Sequence, residues 1–195
     1  MAGKRQKGVK MELELLRTFQ RQVELQCEFM VLAAKDIDDA ISRKHTVRAF
    51  YAIQNCVNAA ANISKTLWGP KGSRVAERKA LRDSIGVSDD SPLRDVNMRD
   101  NFAHMDERLD RWWGESTRHN HIDRNIGPQD FMKAFDDIDI FWAFDPSTGE
   151  IVLWGESFNL NALMAEVERV LPVVHAEADK PQSEPKHPHE QGASV

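Results

Sequence analysis

The sequence has few cysteines and no long hydrophobic run, and both absences restrict its class. Cys27 and Cys56 stand alone inside helical patterns, which favours reduced, packed thiols over a disulfide or a metal site. No apolar segment approaches the roughly 18 residues that a membrane span requires. The basic residues 1–10 are followed by MELELLRTFQ, which lacks the apolar core of a signal peptide. We therefore expect a cytoplasmic protein that does not enter a membrane.

An excess of positive charge is also absent. The chain has 26 Lys and Arg against 31 Asp and Glu, a formal net charge of −5, so its surface as a whole would not attract nucleic acid. An anion-binding role would need a local basic patch. The 195 residues, 41% of them hydrophobic, predict one globular domain over residues 11–177. Polar tails at residues 1–10 and 178–195 are predicted to be disordered.

Apolar residues recur at helical spacing, which predicts a mainly α protein. A first helix is predicted over residues 12–43, where the apolar positions alternate in steps of three and four: Leu16, Phe19, Val23, Cys27, Met30, Ala34, Ile37 and Ile41. Further helices are predicted over 46–68, 73–85 and 160–176, with Pro172 marking a kink or the end of the last one. These segments predict an up-and-down bundle of four to five helices.

Near the carboxyl terminus the spacing of apolar residues changes from a helical pattern to one typical of strands. Residues 138–154 contain two apolar, aromatic runs separated by Asp145-Pro-Ser-Thr-Gly149, which predicts a small β-hairpin with a short turn. Its aromatic side chains either pack against one end of the bundle or provide a platform for nucleic-acid bases. Core packing is the favoured interpretation.

The stretch Val96–Trp112 is the most informative part of the sequence. It is predicted to belong to an amphipathic helix that begins at Ser91 and Pro92 and ends at Gly114. Its apolar stripe consists of Met98, Phe102, Met105, Leu109 and Trp112. At about 100° per residue, Arg99 lies roughly 90° from the centre of that stripe and His104 about 130° from it. Asp100, Glu107 and Arg111 share the side of His104, so a polar, charged face is expected to point away from the core.

Arg99 and His104 are suited to metal-independent RNA cleavage. A histidine, with an unperturbed pKa of about 6.5, can take the proton of a 2′-hydroxyl group. An arginine can bind the phosphate oxygens as charge develops on them. Within one helix the two α-carbons are about 7.5 Å apart along the axis. They do not converge on one atom, and a two-fold dimer packed along this face would solve that geometry.

Other residues are weaker candidates. Asn55, Asn58 and Asn62 line one side of the second helix and predict either a polar wall facing a site or ordinary solvated side chains. Lys65, Arg74 and Arg78 belong to the most basic ordered segment, which could hold phosphate groups or simply be surface. His119, His121 and Asp123 alternate in a loop, but no fourth ligand is evident, and we predict neither a metal nor another cofactor.

The helical pattern together with R-x4-H resembles the HEPN domain, which occurs in ribonuclease toxins, in RNA-processing and defence proteins, and in non-catalytic relatives. The segment RDNFAHMDERLDRW is similar to one in uncharacterised bacterial proteins of the type RN-x-x-x-H-x-DERLD, and the resemblance covers roughly residues 12–172. The usual polar residue after the arginine is commonly Asn, whereas this chain has Asp100.

The resemblance implies an endoribonuclease that uses Arg99 and His104 at a dimer interface and leaves a cyclic phosphate. Asp100 and Glu107 would support that site. The expected partners are a second copy of the chain, RNA, and a protein such as an antitoxin. The alternative is a non-catalytic HEPN-like module that uses the same face for dimerisation or another interaction. In that case Arg99 and His104 belong to a salt-bridge network with neighbouring carboxylates. A third interpretation is nucleotide binding at the asparagine-lined helix.

Overall fold

The computed structural model describes residues 11–94 and 104–181. Within these ranges it has five α-helices: α1 (Leu13–Ser42), α2 (Thr46–Trp68), α3 (Lys79–Ser84), α4 (Met105–Glu115) and α5 (Leu160–Ala178). Four short strands form one sheet: β1 (Asn125–Ile126), β2 (Trp142–Asp145), β3 (Glu150–Leu153) and β4 (Glu156–Asn159). The mainly α class is confirmed. No helix in these ranges is long and apolar enough to cross a membrane.

The long helices form the main body of the core. Helix α1 packs against both α2 and α5. The predicted stripe of α1 is partly right: Val23, Cys27, Met30 and Ile37 are buried, whereas Leu16 and Phe19 are half-buried. The two cysteines are free thiols, and burial raises the pKa of each to about 12. Both side chains therefore serve as small apolar core residues.

The predicted hairpin is part of a larger sheet. Strands β2 and β3 pair antiparallel through the expected turn, in which Asp145 Oδ1 accepts hydrogen bonds from the backbone and hydroxyl of Ser147. The sheet order is β1-β2-β3-β4, with β1 parallel to β2. The prediction of a small C-terminal hairpin is therefore corrected to a four-stranded sheet. The sequence did not indicate β1, which is two residues long, or β4, which has a half-exposed pattern.

One face of the sheet packs against the helices. Trp142 and Phe144 of β2 and Ile151 and Leu153 of β3 belong to the main core, as expected from the alternation of side chains in strands. The Trp142 ring meets the Phe50 ring of α2 edge-on at 5.4 Å. Hairpin aromatics therefore pack into the core, in agreement with the favoured interpretation.

Several helix ends differ from the predictions. The third helix is shorter, because residues 73–78 form turns and α3 begins at Lys79. Residues 92–94, after the predicted start at Ser91, form a turn; Ser91 Oγ donates to Glu166 of α5 and accepts from the backbone N–H of Leu93, and the continuation of the predicted helix over residues 95–103 lies outside the described residues. Helix α4 extends through Gly114 to Glu115, and α5 continues past Pro172 to Ala178. A proline removes one backbone donor, and the packing of Val170 and Val174 keeps α5 helical across it.

An ion pair at the surface links α1 to α5. Nδ1 of His175 lies 2.5 Å from Oε1 of Glu24, and Nε2 lies 3.7 Å from Oδ2 of Asp179. The hydrogen bond to Glu24 and the negative charge of Asp179 raise the pKa of His175 above its usual 6.5. The folded protein therefore binds a proton at this site more tightly than the unfolded chain does.

This linkage predicts a pH-dependent contribution to stability. The His175–Glu24 pair should stabilise the fold fully below pH 6.5, and the contribution should be lost as pH rises through the raised pKa of His175. We expect His175→Gln to lower the urea midpoint at pH 5.5 and to have a smaller effect at pH 8.5. In a Glu24→Gln background the difference between the two pH values should shrink. A larger effect of His175→Gln at pH 8.5 than at pH 5.5 would contradict the linkage.

Candidate functional site

Helix α4 carries the predicted site and is attached to the protein at one end. None of its residues is buried, and Met105 and Leu109 are each 42% exposed. Trp112 is half-buried, and its ring meets the buried Phe141 ring edge-on at 5.1 Å. Arg108 lies 3.6 Å from Glu156 of β4. Contacts from the last two turns of α4 therefore attach the helix to the rest of the protein, and its first turn is exposed.

The carboxylate of Asp139 fixes that attachment. Asp139 is completely buried just before β2, and its Oδ1 accepts hydrogen bonds from Trp112 Nε1 at 3.0 Å and Ser116 Oγ at 2.6 Å. Ser116 directly follows α4, and its hydroxyl also accepts from the backbone of His119. The other oxygen, Oδ2, is also buried and has no hydrogen-bond partner among the described residues, so the bonds to Oδ1 must offset the cost of burying the carboxylate. Asp139 thus connects the end of α4 and the next loop to the sheet.

His104 directly precedes α4 and is accessible. Its side chain is 55% exposed, and its Nδ1 lies 3.3 Å from Oε1 of Glu107. A carboxylate at this distance can accept a hydrogen bond from one ring nitrogen and orient the ring, which leaves the second nitrogen for another partner. Two predicted site residues, His104 and Glu107, are therefore brought together.

Arg99 and Asp100 lie outside the described residues, and so do Met98 and Phe102 of the predicted apolar stripe. The described part of that stripe departs from the prediction, because only Trp112 packs against the core. Met105 and Leu109 instead line a groove between α4 and α2. The reason is the attachment through Asp139, which holds α4 beside the core rather than on it.

The three asparagines lie on the outer surface, in a groove between α1 and α2. Asn55 and Asn62 are exposed and Asn58 is half-buried. Asn62 donates a hydrogen bond to Gln26 of α1 at 3.1 Å. The other side chains that line this groove include Phe29, Leu32 and Tyr51, which are 45%, 58% and 65% exposed. We refer to this surface, together with Leu25, as the α1–α2 face.

The predicted phosphate-binding cations are engaged in other ways. Arg74 is paired with Glu77 at 2.6 Å. The guanidinium of Arg78 lies 3.7 Å from the centre of the Phe19 ring, and burial together with the charge of Arg74 lowers its pKa. Lys65 is exposed near the end of α2. Arg78 therefore contributes to packing, and the structure does not gather these three side chains around one point.

A groove of about 420 Å³ lies between α2, α4 and the sheet, and the sequence did not indicate it. Its apolar lining comes from three elements: Val47, Phe50, Tyr51, Met105, Leu109, Phe141, Trp142 and Trp154. Gln54, His121, Asp123 and Arg124 supply its polar atoms. The only sequence signal was the apolar residues of α2 outside its main stripe. No local pattern shows that the loop at residues 119–124 reaches α2.

The alternating His119, His121 and Asp123 do not assemble a metal site. Within residues 11–94 and 104–181, no group of three or more His, Cys, Asp and Glu side chains is placed to hold a metal ion. His119 Nε2 lies 3.0 Å from the carbonyl oxygen of Trp113, and the His121 ring lies 4.3 Å from that of Phe141. These histidines pack around the end of α4.

Comparison of the chain with protein-family models, with curated proteins and with solved structures finds no match.

The role of Asp139 predicts a specific stability pattern. Asp139→Ala leaves the buried hydroxyl of Ser116 without its acceptor and weakens the bonding of Trp112, so we expect a loss of about 1–3 kcal/mol for each donor left unsatisfied. Asp139→Asn keeps an acceptor oxygen and should cost less. Urea unfolding followed by circular dichroism measures both, and hydrogen exchange should show faster exchange in α4 of Asp139→Ala. Wild-type stability and exchange in that variant would contradict the assignment.

Proposed function

We propose that this protein is a HEPN-like, metal-independent endoribonuclease that works as a homodimer. The observation that carries the proposal is the exposed imidazole of His104 with the Glu107 carboxylate 3.3 Å from its Nδ1. Arg99 precedes His104 by five residues, in the R-x4-H pattern of the sequence. A histidine that is accessible and oriented by a carboxylate can act as a general base.

The chemistry needs one base, one acid and one cation. His104 takes the proton of a ribose 2′-hydroxyl, and the oxygen attacks the adjacent phosphorus. The bond to the 5′-oxygen of the next nucleotide breaks, and that oxygen takes a proton from a second imidazolium. The products end in a 2′,3′-cyclic phosphate and a 5′-hydroxyl. Arg99 binds the phosphate oxygens during the step.

A second copy of the chain supplies the second imidazolium. The α1–α2 face offers a surface for that contact, because it presents Leu25, Phe29 and Leu32 with exposed fractions of 38% to 58%. Exposed apolar groups that lie together are typical of interaction sites. Tyr51 lies at the edge of this face, where it also borders the groove beside α4. In a two-fold dimer the same residues meet from both chains.

The second candidate function is a non-catalytic interaction module. The observation that favours it is the same set of exposed apolar residues, since these would bind a partner without any contribution from His104. A protein partner such as an antitoxin would then cover the α1–α2 face. The two functions differ in whether His104 and Arg99 matter for RNA.

The nuclease proposal predicts cleavage of single-stranded RNA in the presence of a chelator. His104→Ala and Arg99→Ala should each reduce the rate by about 10²- to 10⁴-fold, because each removes a group that acts in the transition state. His45→Ala and Arg43→Ala, at exposed positions near the α1–α2 turn, are matched controls and should cleave as the wild type does. Equal activity in all variants would remove the assignment. An inactive wild type would favour the interaction module.

The dimer is predicted to depend on the α1–α2 face. Leu32→Glu and Phe29→Glu each place a charge into the proposed contact and should raise the dimer dissociation constant at least tenfold in analytical ultracentrifugation. Leu15→Glu is a matched control, since Leu15 is also on α1 and 46% exposed but lies outside this face. A wild-type protein that is monomeric at high concentration, or variants that dimerise like the wild type, would contradict this contact.

A further inference from the structure

We propose that the groove between α2, α4 and the sheet binds one unpaired nucleobase of a single-stranded RNA. The inference rests on the proposed function, because it names the part of the substrate that is held beside His104. It assigns a recognition role to residues that take no part in proton transfer, and it specifies single-stranded rather than duplex RNA.

The lining of the groove suits a flat aromatic ligand. Its floor is formed by the nearly buried rings of Phe50, Phe141 and Trp142, which are 5%, 4% and 9% exposed. The Trp154 ring lies 4.0 Å from that of Phe141 at an angle of 33°, so the two form a tilted stack. Base stacking on such rings is a general mode of single-strand recognition. A volume of about 420 Å³ is within the usual range for small-ligand sites.

Polar groups lie at the same groove and complement a nucleotide. The amide of Gln54 makes no hydrogen bond to any residue of 11–94 or 104–181, and it can both donate to and accept from the edge of a base. Arg124 is 53% exposed and lies 2.7 Å from Asp123. The pair uses Nη2 of Arg124 and Oδ2 of Asp123, so the other N–H groups of the guanidinium can bind a phosphate and Oδ1 of Asp123 can accept a hydrogen bond from a ribose hydroxyl. A purely hydrocarbon ligand would leave these groups unused.

The backbone supports a functional interpretation of the same place. Four described residues other than glycine have positive φ, and two of them, Arg124 at 52° and Trp154 at 52°, line this groove. At Trp154 the positive φ is set by the two-residue turn Trp154-Gly155 between β3 and β4, whereas at Arg124 it costs energy of the kind that is concentrated at functional sites. Here they direct a cation and an aromatic ring to one cavity.

The groove is also next to the proposed reaction centre. Met105 lines it, and His104 is the residue before Met105. A base seated in the groove therefore lies at the same end of α4 as the exposed imidazole. In a duplex the bases are stacked and paired, so a base can reach the aromatic floor only from a single strand.

The test uses a labelled single-stranded oligonucleotide with 2′-O-methyl groups, which lacks the attacking hydroxyl and cannot be cleaved. In fluorescence anisotropy Tyr51→Ala should weaken binding about 5- to 150-fold, the loss typical of one stacked base. Gln54→Ala should also weaken it. Phe131→Ala is the matched control, because Phe131 is an aromatic residue of similar exposure, 61%, away from the groove. The corresponding duplex should bind at least tenfold more weakly than the single strand.

The outcomes separate this inference from the nuclease proposal. Normal binding that depends on Tyr51 and Gln54, with no cleavage of ordinary RNA, would support the groove and refute the nuclease. Cleavage of RNA with unchanged binding by Tyr51→Ala and Gln54→Ala would refute the groove alone. Absent binding by the wild type, or equal binding of duplex, would also overturn it. Ultracentrifugation of Tyr51→Ala checks that a loss of binding does not come from a changed dimer.

Discussion

The buried carboxylate of Asp139 is the constraint on which the candidate site depends. It receives hydrogen bonds from Trp112 at the end of α4 and from Ser116 just beyond it. Because α4 has no buried residue of its own, its position is set by these bonds and by the Trp112 ring. A helix held in this way can expose its first turn without losing its place relative to the sheet.

This attachment explains why His104 and the groove occur together. Fixing the end of α4 beside the sheet leaves Met105 and Leu109 over a cavity whose other wall is α2. The exposed imidazole of His104 then lies at the end of the helix that bounds this cavity. Residues that a simple amphipathic helix would bury are thereby used to line a surface open to a ligand.

The sequence predicted the parts of the fold that depend on local pattern. The spacing of apolar residues located α1 and α2, and the Asp145–Gly149 segment located the turn between β2 and β3. The packing of α4 could not be predicted in the same way, because its key partner, Asp139, is one of several aspartates in a polar stretch. Whether such a residue is buried depends on contacts between distant segments. The groove could not be predicted for the same reason, since its lining comes from α2, α4 and the sheet.

The central claim is that the surface around His104 is where RNA binds. Histidine-selective NMR with the uncleavable single-stranded oligonucleotide tests it most directly, because the described histidines are spread over different surfaces. We predict that RNA shifts the imidazole signals of His104 and His121 and leaves those of His45 and His175 unchanged. Unchanged signals of His104 and His121 under saturating RNA would contradict it.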